Sequence, residues 1–424
     1  MNENKKHFDY KWVIIALSFL MVMISLGFAS STKSLFPDEI AKALDTERSL
    51  VSVNESLRYI ATAVTNIFFG ALILKFGAKK LICAGFLALT SSMVLYATAE
   101  SLFVLYIAGA LLGFGFSFTT TAMVGYIVGL WCKKHKGTIM GAVLASNGIG
   151  GAIAIKIVGG FINPDVTGSY RSAYWLIAAV IGATGIIIFL FFKDKKDESS
   201  SSEKKGASLS DGKDGIEFSE LLKKPYFWGI LVCIFFSGLI LQGTHGITAM
   251  HFKDVGIDYS RVTTILSFGS LILAGTKFLT GFLYDKAGLR ITAGTLMLFA
   301  IASCFLLAFN RGGESGTVLA VIFSVVGQFA LPLETIMLPI YALELCGARS
   351  YTKALGVFVS VNTAGYAVGA PLINLFYDIF GSYYLILIIT GIVFSLIFVL
   401  LLFSVFAALK DKAKRAASSS YIVQ

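Results

Sequence analysis

Ionisable and amide side chains interrupt the long apolar segments of this 424-residue sequence. A charge at the centre of a bilayer costs about 2.5–3.5 kcal/mol on insertion scales, so it persists by pairing, by reaching the interface or by lining a wet cavity. In a wet cavity an ammonium can bind a carboxylate, and a carboxyl can take up and release a proton. The candidates for such chemistry are Lys33, Arg58, His245, Lys277, Gln328 and Glu334.

The cations each have a functional and a structural interpretation. Lys277 lies near the middle of an apolar segment, where it is either an ammonium that binds a substrate carboxylate or a side chain that extends to the interface. Lys33, at the end of the first apolar segment, either extends to the interface or receives an incoming anion. Arg58 either pairs with Glu55 three residues earlier on one helix face or contacts the anion.

The remaining candidates are a carboxyl, an imidazole and an amide. Glu334 lies between Pro332 and Pro339, and we consider proton coupling, pairing with a cation such as Lys277, or a polar role at a helix kink. His245 is either a packing residue or a hydrogen-bond donor to substrate, and Gln328 is a weaker candidate for such a donor.

The composition identifies the elements that must hold these residues. Hydrophobic residues make up 56% of the chain and charged residues only 14%, about half the usual charged fraction, which excludes an ordinary soluble domain and predicts an all-α polytopic membrane protein. The twelve apolar stretches long enough to span a bilayer are roughly 12–32, 50–74, 81–98, 102–130, 138–161, 173–192, 226–250, 262–284, 291–309, 317–345, 354–376 and 383–408.

The basic residues predict how these helices are oriented. Most of the 35 Lys and Arg fall at the N-terminus, at the C-terminus and in alternate loops, which places both termini in the cytoplasm by the positive-inside rule. We therefore expect a multi-pass protein of a plasma (inner) membrane, and the net charge of +10 reflects topology rather than nucleic-acid binding.

The chain divides into two similar parts. Residues 193–224 are charged and rich in Ser, which predicts a cytoplasmic linker between an N-terminal six-helix bundle (1–192) and a C-terminal bundle with its tail (225–424). GALILKFGAKK, beginning at Gly70, and GFLYDKAGLR, beginning at Gly281, occupy equivalent positions in the two parts. This internal repeat predicts two pseudo-symmetric bundles.

The sequence lacks the residues that several kinds of function require. The sequence has no G-x-x-x-x-G-K-[ST] motif for a nucleotide, no metal-binding or catalytic spacing, and five scattered cysteines without a paired spacing. We expect no enzymatic activity, no metal and no cofactor.

The second repeat carries the residues of a known loop signature. Gly281, Asp285, Lys286, Gly288 and Arg290 resemble the G-x-L-x-D-R-x-G-R loop of the major facilitator superfamily. In the first repeat Leu74 replaces the aspartate. The resemblance implies that these residues form a cytoplasmic gating motif, and we expect Glu344 to join basic residues in the same inner gate.

Within that superfamily, four stretches resemble the monocarboxylate transporters and the oxalate–formate antiporters. They are 27–36 with Lys33, 130–137, 277–281 and 369–383. Two positions differ from that family: Lys277 replaces an arginine, and Leu273 replaces an aspartate that the animal members carry. A lysine gives up bidentate carboxylate binding. If the aspartate serves proton coupling in the family, this chain couples protons through another residue or not at all.

These patterns together predict a secondary carrier. The resemblance implies transport of a small organic anion, most simply a monocarboxylate, by rocker-switch alternating access with proton symport or anion exchange. A carrier of a drug or a sugar is the alternative, and a channel or a non-transporting sensor is a more distant one. We expect a functional monomer whose partners are the anion, the lipid bilayer and, for symport, H⁺.

Overall fold

The computed structural model describes residues 10–132, 136–194 and 216–421, and these residues are almost entirely helical. Most of the predicted linker, and part of the turn at 130–137, lie outside the described residues. The helices are α1 (Lys11–Ala29), α2 (Pro37–Ala43), α3 (Arg48–Phe76), α4 (Ala78–Thr98), α5 (Leu102–Thr119), α6 (Thr121–Trp131), α7 (Lys136–Gly160), α8 (Tyr170–Phe191), α9 (Phe218–Leu221), α10 (Pro225–Asp254), α11 (Tyr259–Ala308), α12 (Gly313–Ala330), α13 (Met337–Tyr341), α14 (Tyr351–Phe380) and α15 (Tyr384–Tyr421).

The described helices are long and apolar enough to supply twelve membrane crossings. Eleven helical segments are long and apolar enough to span a bilayer, with α5 and α6 forming one of them. The longest, α11, has 50 residues and measures about 75 Å at 1.5 Å per residue, so it supplies two crossings of a hydrocarbon core about 30 Å thick. The all-α polytopic architecture predicted from the sequence is confirmed.

Gly288 separates the two crossings of α11. Its φ of +74° and ψ of 177° break the helix at the position of the second glycine in the loop signature. A side chain at this φ is strained, which explains why this turn uses glycine.

Replacing Gly288 with alanine should destabilise the fold by about 1–3 kcal/mol because the backbone conformation is sparsely allowed for other residues. Gly281→Ala is the matched control, since Gly281 is helical and a Cβ there meets no atom within 4 Å. Thermal unfolding in detergent should show a lower midpoint for Gly288→Ala only. Equal shifts for the two variants would contradict the role assigned to this turn.

Two predicted spans contain breaks. Thr120 departs from helical geometry between α5 and α6, where the sequence predicts one continuous helix. After α12, a 3₁₀ turn at Leu331–Glu334 precedes α13, so the predicted kink between the two prolines is present. The irregular backbone at this second break brings Glu334 into the interior of the protein.

We call the crossings of α1–α8 the first half and those of α10–α15 the second half. Because the number of crossings is even, both ends of the described chain lie on one face, which we call the terminal face; the opposite face is the distal face. One core cluster joins residues of the first half to residues of the second half such as Ile247, Phe252 and Tyr383, whereas the rest of the second half has a separate core.

Glycines in α7 show where the halves touch. A Cβ on Gly148, Gly151 or Gly159 would come within 2.8, 2.2 and 2.4 Å of α11 atoms, so the two helices are in close contact there. A Cβ on Gly141, nearer the terminal face, would meet nothing within 4 Å. The hydrogen bonds between α7 and α11, from Ser270 to Gly148, from Ser267 to Ala152 and from Lys156 to Thr264, also lie in the middle and distal part of α7. The described residues show none between these helices nearer the terminal face, so the halves converge toward the distal face and separate toward the terminal face.

Candidate functional site

A cavity of about 170 Å³ lies between the halves. Its walls combine one lysine with many uncharged polar side chains and a few apolar ones. The lining residues are Ser30, Ser31, Lys33, Ser34, Asn147, Ile155, Gln242, His245, Thr248, Leu266, Gly269, Ser270, Leu273, Phe323, Ser324, Gln328 and Leu331.

Lys33 is the cation of this central cavity. It lies in a 3₁₀ turn just after α1, and its side chain extends into the interior of the protein. Its Nζ donates to Gln242 Oε1 of the other half at 2.9 Å and lies 3.5 Å from the Tyr59 hydroxyl. This interior position does not fit interfacial anchoring, and the interpretation of Lys33 as an anion contact stays a prediction.

Glu55 balances Lys33 and Arg58 together. Its Oε2 lies 3.6 Å from Lys33 Nζ and 2.6 Å from Arg58 Nη2. Arg58 also stacks against the ring of Tyr59 at 4.3 Å and is almost fully buried away from the cavity wall. The three groups carry a net charge of +1, and the structure thus places Arg58 in the local pair with Glu55.

Gln242 connects the cation of the first half to the acid of the second half. Its Oε1 accepts from Lys33 and from the Tyr59 hydroxyl, and its Nε2 donates to Glu334 Oε2 at 2.8 Å. Glu334 therefore pairs with an amide, and no contact joins it to Lys277 in the described part of the chain. Its second oxygen, Oε1, is buried without a hydrogen-bond partner there.

Two other predicted site residues line the same cavity. His245 lies on α10, and its ring is 5.9 Å from that of Phe323 across the cavity wall. Gln328 lies on α12 with its Nε2 against Gly269 of α11, while its Oε1 is buried and without a partner among the described residues. The structure thus brings Lys33, His245 and Gln328 together around one space.

Lys277 lies outside this cavity. Ala274 of α11 lies against Gly148 of α7 at the contact between the two halves, which we call the seam. Lys277 is three residues beyond Ala274, and residues three apart share a helix face. Its half-buried side chain makes no hydrogen bond or ion pair within the described ranges. Lys277 therefore faces the separated, terminal side of the seam.

An ion-pair layer closes the distal side of the cavity. Arg48 of the first half pairs with Asp38 and, at 2.6 Å, with Asp254 of the second half. Lys253 of the second half pairs with Asp38 at 2.8 Å and Glu39 at 2.5 Å. Although burial alone would raise the pKa of Asp38, Arg48 and Lys253 outweigh burial and hold that pKa well below its usual range.

Neutral and capping contacts reinforce this layer. Asp378 accepts from the backbone N–H groups of Arg48 and Ser49 at 3.3 and 2.9 Å, so it caps the N-terminus of α3 from the second half. Asn374 donates to Ser52 at 2.7 Å beside it. We call Asp38, Glu39, Arg48, Lys253, Asp254 and Asp378 the distal gate.

The residues of the loop signature lie on the terminal face of the second half. Lys286 and Arg290 rest over the rings of Phe282 and Phe406 at 4.4 and 5.1 Å, and Asp285 is exposed. Glu344 accepts from Tyr284 and Lys412, each at 2.8 Å. These contacts stay within one half, as expected if the terminal side of the seam is open.

Sequence reasoning missed Gln242, Tyr59 and the distal gate. The one available signal for Gln242 was an amide in an apolar segment, three residues before His245 on the same helix. For the gate, Asp38, Glu39 and Arg48 fall in one predicted loop region and Lys253 and Asp254 in another. Nothing in the sequence indicated that these loops meet.

The arrangement defines a polytopic α-helical carrier: two halves around a polar cavity that is closed on one side and open on the other. The sequence profile of the Major Facilitator Superfamily matches residues 16–361 and 247–421. The chain belongs to this superfamily of transporters.

Individual relatives agree with this assignment. The chain is 24% identical over 291 residues to the uncharacterized MFS-type transporter YcxA of Bacillus subtilis (strain 168), covering 68% of this chain and 69% of that one. It is 22% identical to Monocarboxylate transporter 13 of Bos taurus, over 90% and 86% of the two chains. The crystal structure of the nucleoside transporter NupG has a TM-score of 0.77 at 14% identity, over 94% of this chain and 99% of that one, so it shares the fold.

Proposed function

We propose that this transporter carries a small organic anion, most simply a monocarboxylate, with Lys33 as its counter-ion. The observation that supports this most is the charge around Lys33: Glu55 is the one carboxylate within 4 Å of Lys33 and Arg58 in the described residues, and the nearest contact of the Lys33 ammonium is the neutral amide of Gln242. When the Glu334 carboxyl on the far side of Gln242 is protonated, this cluster keeps a net charge of +1. A bound carboxylate neutralises the excess charge, which lowers the cost of enclosing the site away from water.

The cycle that we propose is alternating access of this cavity to the two faces. The distal gate is formed and the terminal side of the seam is separated, so the cavity is reached from the terminal face. With both termini in the cytoplasm of a plasma (inner) membrane, this is the inward-open state of a functional monomer. Gating at the terminal face would use Gly281, Asp285, Lys286, Gly288, Arg290 and Glu344.

Two further groups have roles in this proposal. Lys277 lies on the route from the terminal face and offers a second cation to the departing anion. Glu334 is the coupling group, since Gln242 links its carboxyl directly to Lys33. Proton movement at Glu334 would alter the hydrogen bond to Gln242, and through it the contact that an incoming carboxylate must displace.

Solute counterflow in proteoliposomes tests the proposed function. Vesicles loaded with an unlabelled small carboxylate should accumulate the labelled compound transiently, and the rate should saturate. An uncharged nucleoside and a cationic drug of similar size serve as comparisons for the other solute classes. Counterflow of either comparison without counterflow of any carboxylate would reject the anion assignment, whereas non-saturating flux would indicate a channel.

Glu334→Gln should separate exchange from proton-driven uptake. The glutamine keeps the size and a hydrogen-bonding group opposite Gln242 but cannot exchange a proton. We expect anion counterflow to persist in this variant, while uptake driven by an imposed pH gradient falls at least about tenfold. Unchanged pH-driven uptake in the variant would show that proton coupling uses another group, and absence of pH-driven uptake in the parent protein would show that the carrier is an exchanger.

A further inference from the structure

Three hydroxyl groups on the second-half wall of the central cavity donate their hydrogens to backbone carbonyls. Thr248 donates to the Thr244 carbonyl and Ser324 to the Val321 carbonyl, both at 2.8 Å, and Ser270 donates to the Gly148 carbonyl at 3.2 Å. A hydroxyl has one hydrogen and two lone pairs. Each of these groups therefore faces the cavity as an acceptor only.

The amide of Gln328 adds a stronger acceptor to the same wall. Its Oε1 is buried and has no partner in the described part of the chain, while Nε2 points to Gly269. A buried acceptor without a partner destabilises a protein by about 1–3 kcal/mol. Such a group is retained most readily where a ligand supplies the missing hydrogen.

The cavity thus requires two chemical features of its ligand, a negative charge and hydrogen-bond donors. At Lys33 it offers an ammonium, which requires a negatively charged acceptor. Along α10, α11 and α12 it offers acceptors, which require hydrogen-bond donors. A simple carboxylate with an alkyl tail satisfies the first requirement and leaves the acceptors of the wall unpaired.

We propose that the substrate is a polyhydroxylated monocarboxylate of the sugar-acid type. Its carboxylate pairs with Lys33, and its hydroxyls donate to Gln328, Thr248, Ser270 and Ser324. The inference rests on the proposed function for the carboxylate and adds the donors. Leu266, Leu273 and Phe323 supply an apolar surface for the C–H groups of the same carbon chain.

Selectivity follows from the unpaired acceptors. A site built to hydrogen-bond a hydroxyl discriminates strongly against the analogue that lacks it, because the polar groups of the site stay unpaired in that complex. An alkyl carboxylate of the same length should therefore bind much more weakly than its hydroxylated counterpart. An uncharged polyol should also bind weakly because it leaves Lys33 without an anion.

Binding to the purified full-length protein tests this selectivity with matched six-carbon probes. Thermal shift and calorimetry compare gluconate, hexanoate and sorbitol, with glycerate, threonate and xylonate as shorter hydroxy acids. At least one hydroxy acid should bind about tenfold or more tightly than hexanoate, and sorbitol should not bind detectably.

The outcomes separate the two proposals. If hexanoate binds as tightly as every hydroxy acid, the sugar-acid inference is overturned and the anion carrier stands. If sorbitol binds as tightly as gluconate, the proposed anion function itself fails. Absence of binding by all four hydroxy acids also overturns the inference.

Gln328→Met provides the residue-level test because it keeps side-chain length and removes the acceptor. The ratio of the hydroxy-acid affinity to the hexanoate affinity should fall at least about tenfold in this variant. Thr317→Val, on the same helix but outside the central cavity, should leave that ratio unchanged. A ratio unchanged in Gln328→Met contradicts the inference, and misfolding alone would lower both affinities together.

Discussion

We expect Lys33→Met to abolish anion uptake, and this is the largest effect that we predict. The variant keeps the length of the side chain but removes the only cation that lines the central cavity in the described residues. Removing one partner of a buried charge pair costs about 2–5 kcal/mol, so the Kd for the anion should rise at least about 30-fold. Isothermal calorimetry on the purified protein measures the Kd for the anion, and counterflow measures its uptake.

Lys156→Met is the matched control for this prediction. Lys156 also lies within a crossing, but its ammonium donates to Thr264 on the exposed side of the seam at 2.7 Å. We expect its anion affinity to stay within about threefold of the parent protein, because it does not line the cavity. Equal loss in the two variants, or normal uptake by Lys33→Met, would remove Lys33 from the binding site.

The second large effect concerns the distal gate. Arg48→Ala removes the ion pair with Asp254 of the second half, a contact that exists only while the distal face is closed, and also leaves Asp38 of its own half without the guanidinium. A loss of about 2 kcal/mol, the low end for such a pair, shifts the closed-to-open equilibrium by about 30-fold. The distal face should therefore open in a much larger fraction of molecules.

Spin-label distances across the distal face can measure this shift. Asp45 and Glu314 are exposed there on opposite halves and can be changed to cysteine in a variant that lacks the half-buried Cys83. Arg48→Ala should add a longer distance, whereas Lys42→Ala should not, since Lys42 pairs with Asp38 and Glu39 of its own half. An unchanged distribution in Arg48→Ala would mean that apolar contacts alone hold the distal face closed.

The fold was largely accessible from the sequence, for a physical reason. Each crossing must satisfy its own backbone within the bilayer, so apolar length and the position of the prolines and glycines decide the helices locally. The predicted spans, the turn at Gly288 and the kink after α12 follow from this. The break at Thr120 was not predicted, because threonines such as those at 119–121 also pack within continuous helices.

The site was only partly accessible. Lys33, His245 and Gln328 were identified because polar groups in apolar segments are costly, and that cost is visible residue by residue. The partners of those groups depend on which helices meet and at what height, which is a property of the assembled halves. Hence the sequence did not show that Gln242 is the neighbour of Glu334, nor that Lys33 lines the central cavity while Lys277 lies outside it.

The core that the two halves share near the distal face has a thermodynamic consequence for the cycle. Opening that face exposes apolar side chains such as Ile247 and Phe252, and hydration of apolar surface has a large positive heat capacity. The enthalpy of this step therefore changes with temperature. A van't Hoff plot of the equilibrium between the two access states should be curved, and cooling should weaken the hydrophobic contribution that favours closure of the distal face.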